Sequence, residues 1–329
     1  MAIPEPLADA VPLAEEASLV AIAEAPRGRF YIEIGYAFAA IGALLFSTKG
    51  IAIKLAYREP IDATLLLALR MGLAVPIYAA IAAFAVQDSR RRGIPLPSPA
   101  LVGKAALVGA LGYWIASYLD FSGLEFLSAQ FERLILFTYP LFVVIFGALF
   151  FGQPIRLKAV AAIGLSYLGL AVIFAEKIGE PGSRVAIGAA LVLGSALAFA
   201  LYQLLAKGVI AQLGPRLFTC IAMTGAAIGV FAQFLATRPL GEIAAVSPRV
   251  WEISVFLAIG ATLLPSFFLN AALHRISAQA NATIGTLSPI MTIALAVLIL
   301  GEHLTVTDVI GTMLVLAGVG WFTLADRKR

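Results

Sequence analysis

The chain alternates between long apolar stretches and short polar breaks. Apolar stretches near 20 residues recur between positions 32 and 325, and the breaks carry turn signals such as Gly-Gln-Pro at 152–154. A helix of about 20 apolar residues crosses a hydrocarbon core of roughly 30 Å. The pattern therefore predicts ten membrane-spanning helices, at residues 32–57, 61–86, 101–120, 127–151, 157–176, 185–207, 216–237, 251–273, 278–300 and 306–325.

An internal repeat divides these spans into two sets. At an offset of 149 residues, the Ser-Ala-Gln of 128–130 matches the Ser-Ala-Gln of 277–279, and Pro140 matches Pro289. Each half then holds five spans, and an odd number inverts the second half relative to the first. Inverted repeats are typical of secondary transporters, whose substrate site lies near the midplane between the halves. We predict an all-α membrane protein with ten transmembrane helices in two inverted five-helix repeats around a central cavity.

Composition agrees with this class. The chain is 61% hydrophobic and 13% charged, whereas soluble domains have about a quarter of their residues charged. The single cysteine excludes an intrachain disulfide, and the two histidines form no metal-binding pattern, so neither a metal nor a cofactor is predicted. The predicted units are a disordered cytoplasmic tail at 1–31, the repeats at 32–176 and 185–325, a linker at 177–184 and a basic cytoplasmic end at 326–329.

The distribution of basic residues predicts the orientation. If the N-terminus is cytoplasmic, fourteen of the 23 Lys and Arg residues lie inside, six lie outside and three lie within spans. This bias follows the positive-inside rule, which predicts that both termini are cytoplasmic. We predict that the protein lies in the inner (plasma) membrane. The same bias explains the pI of about 9.2 without nucleic acid as a partner.

Four charged residues fall inside predicted spans: Lys49, Arg70, Glu132 and Arg133. A charge near the bilayer centre costs about 3 kcal/mol or more, so such residues usually face a cavity or a partner. Lys49 is predicted to bind an anion or to pair with Glu132. The alternative is that the Lys49 side chain extends toward the outer membrane surface. Arg70 is predicted to pair with Glu132 or with a backbone carbonyl, in a functional or a structural role.

Glu132 and Arg133 stand side by side in the fourth predicted span. Neighbouring helix residues point about 100° apart, so one is predicted to face the cavity and the other a neighbouring helix. Tyr139 shares a face with Glu132, and Pro140 interrupts the helix hydrogen bonds, as Pro289 does in the second half. Interrupted helices at matching positions point to a transporter site. A kink that only helps the bundle to pack remains an alternative.

Other residues complete the predicted substrate site and its surroundings. Polar and aromatic candidates for the cavity wall are Tyr113, Trp114, Tyr202, Gln203, Asn270 and Asn281. Tyr and Trp also anchor helices at the membrane interface, which is the alternative for the aromatic members. Asp120 and Glu125 are predicted at the outer turn as solvated partners of Lys54 or Arg58.

Two segments carry a resemblance to a known family. RISAQANATIGTLSPIMTIALAVLILGEHLTVTDVIGTMLVLAGV at 275–319 and GIAIKLAYREPIDATLLLALR at 50–70 resemble the drug/metabolite transporter superfamily in its EamA-type ten-helix branch. The resemblance covers about residues 32–325. It departs at Gln153, where the second half has Glu302, and at FSTKG (46–50), which lacks a tryptophan. The resemblance implies alternating access around a central cavity, usually for the export of metabolites or amino acids.

The net charge of the predicted site points to a class of solute. Lys49, Arg70 and Arg133 are positive and Glu132 is negative, so the four intramembrane residues carry a net charge of plus two. A positive pocket suits a carboxylate-bearing solute. Glu132 is predicted to bind a substrate amine or a coupling proton. We therefore predict a secondary transporter that exports small polar metabolites such as amino acids or organic acids, as a monomer or homodimer. The alternatives are an intramembrane sensor or scaffold and a lipid-acting membrane enzyme.

Overall fold

A computed structural model describes residues 29–93, 95–152, 157–178, 184–277, 280–281, 284–285 and 287–326, and all regular secondary structure among them is helical. The helices are α1 (Arg29–Ala56), α2 (Ala63–Arg91), α3 (Pro99–Leu124), α4 (Ala129–Leu136), α5 (Tyr139–Phe151), α6 (Leu157–Ile178), α7 (Val185–Thr237), α8 (Gly241–Ala244), α9 (Pro248–Arg275), α10 (Leu287–Leu295) and α11 (Val306–Asp326). A π-helical turn, Ala296–Leu300, continues α10. Residues 1–28 of the predicted tail, Gln153, residues 179–183 of the predicted linker and residues 327–329 of the predicted basic end lie outside the described residues. The predicted tail extends to residue 31, but residues 29–31 already belong to α1.

The helices have the length and composition of membrane spans. Within the described residues, six helices are long and apolar enough to cross a bilayer, and two shorter apolar helices follow at Ser288–Leu300 and Val306–Gly318. The chain is thus an all-α membrane protein. The count of ten spans stays a prediction.

The fourth predicted span is built from two helices. α4 ends at Leu136, and α5 begins at Tyr139 with Pro140 in its first turn. Proline suits a first turn because its missing N–H would have no helical partner there. The break is short, since the Phe137 amide still donates to the Arg133 carbonyl at 3.0 Å.

The sixth and seventh predicted spans lie in one helix with a kink. Residues 185–207 and 216–237 both belong to α7, and Gly214 adopts a φ of 72° between them. This left-handed conformation costs other residues a steric penalty that glycine avoids. Pro215 follows at once, and the Thr219 hydroxyl donates to its carbonyl at 2.6 Å. The predicted division at 208–215 therefore coincides with the kink.

The start of α4 is held by groups from both halves of the chain. The Ser128 hydroxyl accepts a hydrogen bond from the Phe131 amide at 3.2 Å. The Glu302 carboxylate accepts from the Ala129 amide at 2.8 Å and from the Gln130 amide at 3.3 Å. A carboxylate is stabilising at a helix N-terminus because the free amides and the helix dipole are positive there. Glu302 thereby ties the second half to the broken helix of the first.

Candidate functional site

Two adjoining cavities lie in the centre of the helix bundle. The first encloses about 660 Å³ including its opening, and the second about 460 Å³. They share six wall residues: Phe46, Leu136, Phe199, Gln203, Leu269 and Asn281. Phe46 and Leu136 come from α1 and α4 in the first half, whereas Phe199, Gln203, Leu269 and Asn281 come from the second half. The space therefore lies between the two halves of the chain.

Most of the predicted substrate-binding residues line this space. Those on the first cavity are Lys49, Arg70, Tyr113, Tyr202, Gln203 and Asn281. Arg133 and Tyr139 line the second, together with Gln203 and Asn281. The first half and the second half of the chain thus both present polar groups to one space, as a solute site between repeats requires.

Two predicted residues lie elsewhere. Trp114 is not among the residues that line either cavity; its indole N–H donates to Gln233 Oε1 at 2.7 Å. Adjacent residues of a helix point in different directions, so Tyr113 takes the cavity side and Trp114 the α7 side. Glu132 also lines neither cavity and is 0% exposed, so its carboxylate lies behind the cavity wall. Its contact with a substrate amine stays a prediction.

A polar network closes one wall of the first cavity. The Tyr202 hydroxyl lies 2.9 Å from Asn270 Oδ1 and 3.0 Å from the Tyr113 hydroxyl. Asn270 Nδ2 donates to the Tyr113 hydroxyl at 3.3 Å and to the Thr219 hydroxyl at 2.9 Å. Buried polar groups are costly unless they are bonded, and a fully bonded network rigidifies its surroundings. The network therefore joins α3, α7 and α9 at the cavity wall.

Replacement of Tyr202 by Phe is expected to weaken this wall. The substitution removes one hydroxyl and leaves the Asn270 carbonyl oxygen without its Tyr202 donor, which costs about 1–3 kcal/mol for a buried group. A fall in the melting temperature of the purified protein is the measurement. Tyr118→Phe, on a partly buried tyrosine outside both cavities, is the control, and an equal fall in both variants would contradict a special role for the network.

The sequence does not identify several of the residues that line the first cavity as site candidates. They are Phe46, Ser117, Ser195, Phe199, Thr262 and Ser266. The internal repeat carries a signal for two of them, because Ser117 and Ser266 are matched by the same offset of 149 residues. The remaining hydroxyls and aromatic rings have no distinguishing pattern in a chain this apolar.

Lys49 pairs with Asp120, and not with Glu132. Lys49 Nζ lies 2.5 Å from Asp120 Oδ2, and the two side chains are only 4% and 1% exposed. The predicted solvated position of Asp120 is therefore wrong. α3 continues to Leu124, one turn beyond the predicted end, and this places Asp120 inside the bundle beside α1.

The other predicted outer pairs also differ. Glu125 accepts a hydrogen bond from the Ala63 amide at 2.9 Å, at the start of α2. Lys54 donates to the Leu124 and Leu127 carbonyls at 3.2 and 3.0 Å. These contacts satisfy backbone groups at helix ends, which have no partner within their own helix.

Arg70 contacts a backbone carbonyl, which is one of the two partners that the sequence predicts for it. Its Nη2 lies 3.5 Å from the Tyr113 carbonyl oxygen, and its guanidinium carbon is 4.9 Å from the centre of the Phe121 ring. Its Nε has no hydrogen-bond partner among the described residues. Arg70 is thus a buried cation on the cavity wall with an unused donor.

Unused acceptors lie on the same walls. Gln203 Oε1, Asn281 Oδ1, Thr262 Oγ1 and Ser288 Oγ are buried without a hydrogen-bond partner among the described residues. Each lies in a residue that lines one of the two cavities. A solute that carries both an anionic group and hydrogen-bond donors would satisfy the cations and these oxygens together. In the described part of the chain, no group of three or more His, Cys, Asp or Glu residues is arranged to hold a metal ion.

Comparison with known proteins identifies the family of this chain. The sequence profile of the EamA-like transporter family matches residues 33–175 and again residues 186–324. The chain belongs to this family. The two matches coincide with the two halves of the internal repeat, so each half is one copy of the family's unit. Membership identifies the protein as a membrane transporter.

Relatives within and around the family agree. A Bacillus subtilis (strain 168) protein named "Uncharacterized transporter YcbK" is 28% identical over 304 residues, which cover 90% of this chain and 95% of the relative. An Escherichia coli (strain K12) protein named "Probable amino-acid metabolite efflux pump" is 25% identical over 210 residues, or 61% of this chain and 70% of the relative. A crystal structure at 18% identity superposes with a TM-score of 0.61 and covers 89% of this chain and 98% of its own. That structure shares the fold.

Proposed function

We propose that this family member is a secondary transporter that exports small carboxylate-bearing metabolites, amino acids and organic acids among them, by alternating access. The observation that carries the proposal is the charge of the central space. Lys49, Arg70 and Arg133 line it, whereas none of the described residues on its walls is acidic. Asp120 and Glu132 offset Lys49 and Arg133 from behind the wall, so the net positive charge at the wall is that of Arg70. A positive wall attracts anions and disfavours cationic solutes.

The chemistry of the cations fits a carboxylate. A guanidinium donates two parallel hydrogen bonds to a carboxylate, and Arg70 keeps its Nε free for such a contact. The buried oxygens of Gln203 and Asn281 would receive an ammonium or hydroxyl group of the same solute. The name of the Escherichia coli relative, an amino-acid metabolite efflux pump, supports this solute class and the direction of export.

The architecture supports alternating access. Both halves contribute to the wall of one space, and the first half carries a broken helix, α4 and α5, directly beside it. A site shared by two repeats opens to one side or the other when the repeats rock against each other. We place the protein in the plasma membrane with both termini cytoplasmic, because the basic residues concentrate on that face.

Counterflow in proteoliposomes tests this function. Liposomes loaded with individual unlabelled amino acids and organic acids are expected to accumulate the matching labelled solute for at least one carboxylate. Arg133→Gln is expected to lower the initial rate at least tenfold, because a lost charge-assisted hydrogen bond is worth about 1.5–3 kcal/mol. Arg249→Gln, at an arginine whose side chain is 61% exposed, is the control and should leave the rate unchanged.

The outcome that would contradict the proposal is equally specific. Exchange of organic cations without exchange of any carboxylate would show that the wall charges do not select the solute. Equal rates for wild type and Arg133→Gln would remove Arg133 from the site.

A further inference from the structure

Four charged side chains form a buried cluster behind the cavity wall. They are Lys49 on α1, Asp120 on α3, and Glu132 and Arg133 on α4, and each is at most 3% exposed. Isolated buried charges are costly, so such clusters persist only where partners offset the lost hydration. Lys49 and Asp120 form a close pair at 2.5 Å. The second pair, Glu132 and Arg133, is more widely separated at 3.8 Å.

Glu132 is poorly satisfied for a fully buried carboxylate. Its Oε2 lies 3.8 Å from Arg133 Nε, which is an ionic contact beyond hydrogen-bond distance. Neither of its oxygens accepts a hydrogen bond from any described residue, and Asp120 Oδ1 also lacks a donor. The glycine at position 50 leaves room for this carboxylate, since a Cβ atom there would lie 3.3 Å from Glu132 Oε2. Three buried acceptor oxygens therefore need donors.

A proton would supply the missing donor. The Glu132 and Asp120 carboxyl groups are neighbours in this cluster, and each acts on the charge of the other. Two carboxylates cannot bond each other directly, because both are acceptors only. Once one is protonated, its O–H donates to the other, and two of the three unsatisfied oxygens are engaged in one hydrogen bond. Two carboxyl groups that share one proton are a recognised consequence of this repulsion.

We propose that Glu132 and Asp120 form a proton-binding site of this transporter, which holds one proton between the two carboxyl groups. The charged groups that face Glu132 are Asp120 from α3, Lys49 from α1 and its own neighbour Arg133. Glu302 lies at the start of the same helix, where it binds the Ala129 and Gln130 amides. The proton comes from bulk water and returns there, so no bond other than O–H forms or breaks.

The site is separate from the cavity but touches it through two cations. Lys49 lines the first cavity and Arg133 the second, whereas Glu132 and Asp120 line neither. With both carboxyl groups ionised the cluster is neutral, and with one proton bound it carries a net charge of plus one. The proton thus makes the cavity wall more positive and leaves Arg133 free to turn to a solute.

This coupling rests on the proposed function and has a definite sign. A more positive wall binds a carboxylate more tightly, and by linkage the bound carboxylate raises the affinity for the proton by the same factor. Proton and anionic solute then bind together and cross in the same direction. The sum of the solute and proton gradients then drives transport, so export requires an outward solute gradient that exceeds any inward proton gradient.

Infrared difference spectroscopy of the purified full-length protein tests the proton site without any solute. Titration between about pH 4 and pH 10 covers ordinary and perturbed carboxyl groups. Wild type is expected to lose the C=O band of one buried carboxylic acid as the pH rises. Glu132→Gln and Asp120→Asn are each expected to abolish that band, because either substitution removes one member of the pair. Glu125→Gln, at a carboxylate that caps α2, is the control and should keep it.

Each result decides the proposal. Absence of a titrating buried carboxyl band in wild type overturns it, even if a variant fails to fold. Persistence of the band in both Glu132→Gln and Asp120→Asn also overturns it. A second measurement tests the sign of the coupling between proton and solute. In wild type, exchange of a carboxylate that is active in counterflow should become faster as the pH falls. In Glu132→Gln, the exchange rate should no longer depend on pH. Faster exchange at higher pH in wild type would contradict the coupling.

The two proposals fail independently. If no carboxylate shows counterflow but the band titrates as expected, the proton site stands and the proposed function falls. If counterflow succeeds but no band titrates, the transporter is not protonated at Glu132 and Asp120.

Discussion

Lys49→Met is expected to destabilise the folded protein by about 3–5 kcal/mol, which is the usual cost of breaking a buried ion pair by removal of one partner. The substitution leaves the Asp120 carboxylate 1% exposed, without the ammonium that lies 2.5 Å from it. Methionine keeps the length and apolar character of the lysine stem, so the effect reports the lost charge. The measurement is the melting temperature of the protein in detergent, together with the yield of monodisperse material.

Two controls separate charge from packing. Arg249→Met breaks an ion pair of 2.9 Å with Glu252 that is more than half exposed on both sides, and we expect a loss below about 1 kcal/mol. The double variant Lys49→Met with Asp120→Leu removes both charges and is expected to recover much of the stability of wild type. If Lys49→Met lowers the melting temperature no more than Arg249→Met does, the pair does not hold the bundle together.

Gly109→Ala is expected to disrupt the packing of α3 against α7. A Cβ atom at position 109 would lie 2.2 Å from the Ala222 carbonyl oxygen and 2.3 Å from its Cα. Overpacking usually costs about 1–3 kcal/mol when side chains can move aside. Here the obstructing atoms are backbone, so two helices must separate and we expect a loss at or above the upper end of that range.

Gly103→Ala is the matched control on the same helix. Nothing lies within 4 Å of a Cβ atom built at position 103, and alanine is the better helix former by about 0.5–1 kcal/mol. We expect its melting temperature to equal or exceed that of wild type. A comparable loss in both variants would mean that the approach of α3 to α7 does not limit stability, and the thermal unfolding of the two proteins in the same detergent is the measurement.

The all-helical membrane class could be predicted, but the partners of the charged residues could not. Apolar stretches of span length give helices wherever they occur, because backbone groups in a bilayer must bond within their own segment. The same apolarity removes the contrast between helix faces, so the pattern does not say which neighbour a given face meets. The pattern leaves Lys49 open to pairing with Glu132 for this reason. It also predicts Asp120 as solvated, because Asp120 is the last residue of the third predicted span.

The candidate site was predictable in outline. The sequence predicts a set of polar groups in apolar spans as site residues, and the structure brings these members to one space: Lys49, Arg70, Arg133, Tyr113, Tyr202, Gln203 and Asn281. Glu132 and Trp114 met the same criterion and lie outside it. Direction around a helix changes by about 100° per residue, so an uncertainty of one residue in helix geometry decides whether a side chain faces a cavity.

The sequence by itself determined the class of protein, the repeat and the presence of buried charge, because these follow from composition and from spacing along the chain. Only the tertiary structure decided that Asp120 pairs with Lys49 and that Glu132 lies behind the cavity wall. Both outcomes depend on how α1, α3 and α4 are rotated about their axes, and that rotation is set by packing between helices rather than by any one of them. The neighbouring Glu132 and Arg133 show the division plainly: their charges are read from the chain, whereas their different surroundings belong to the fold.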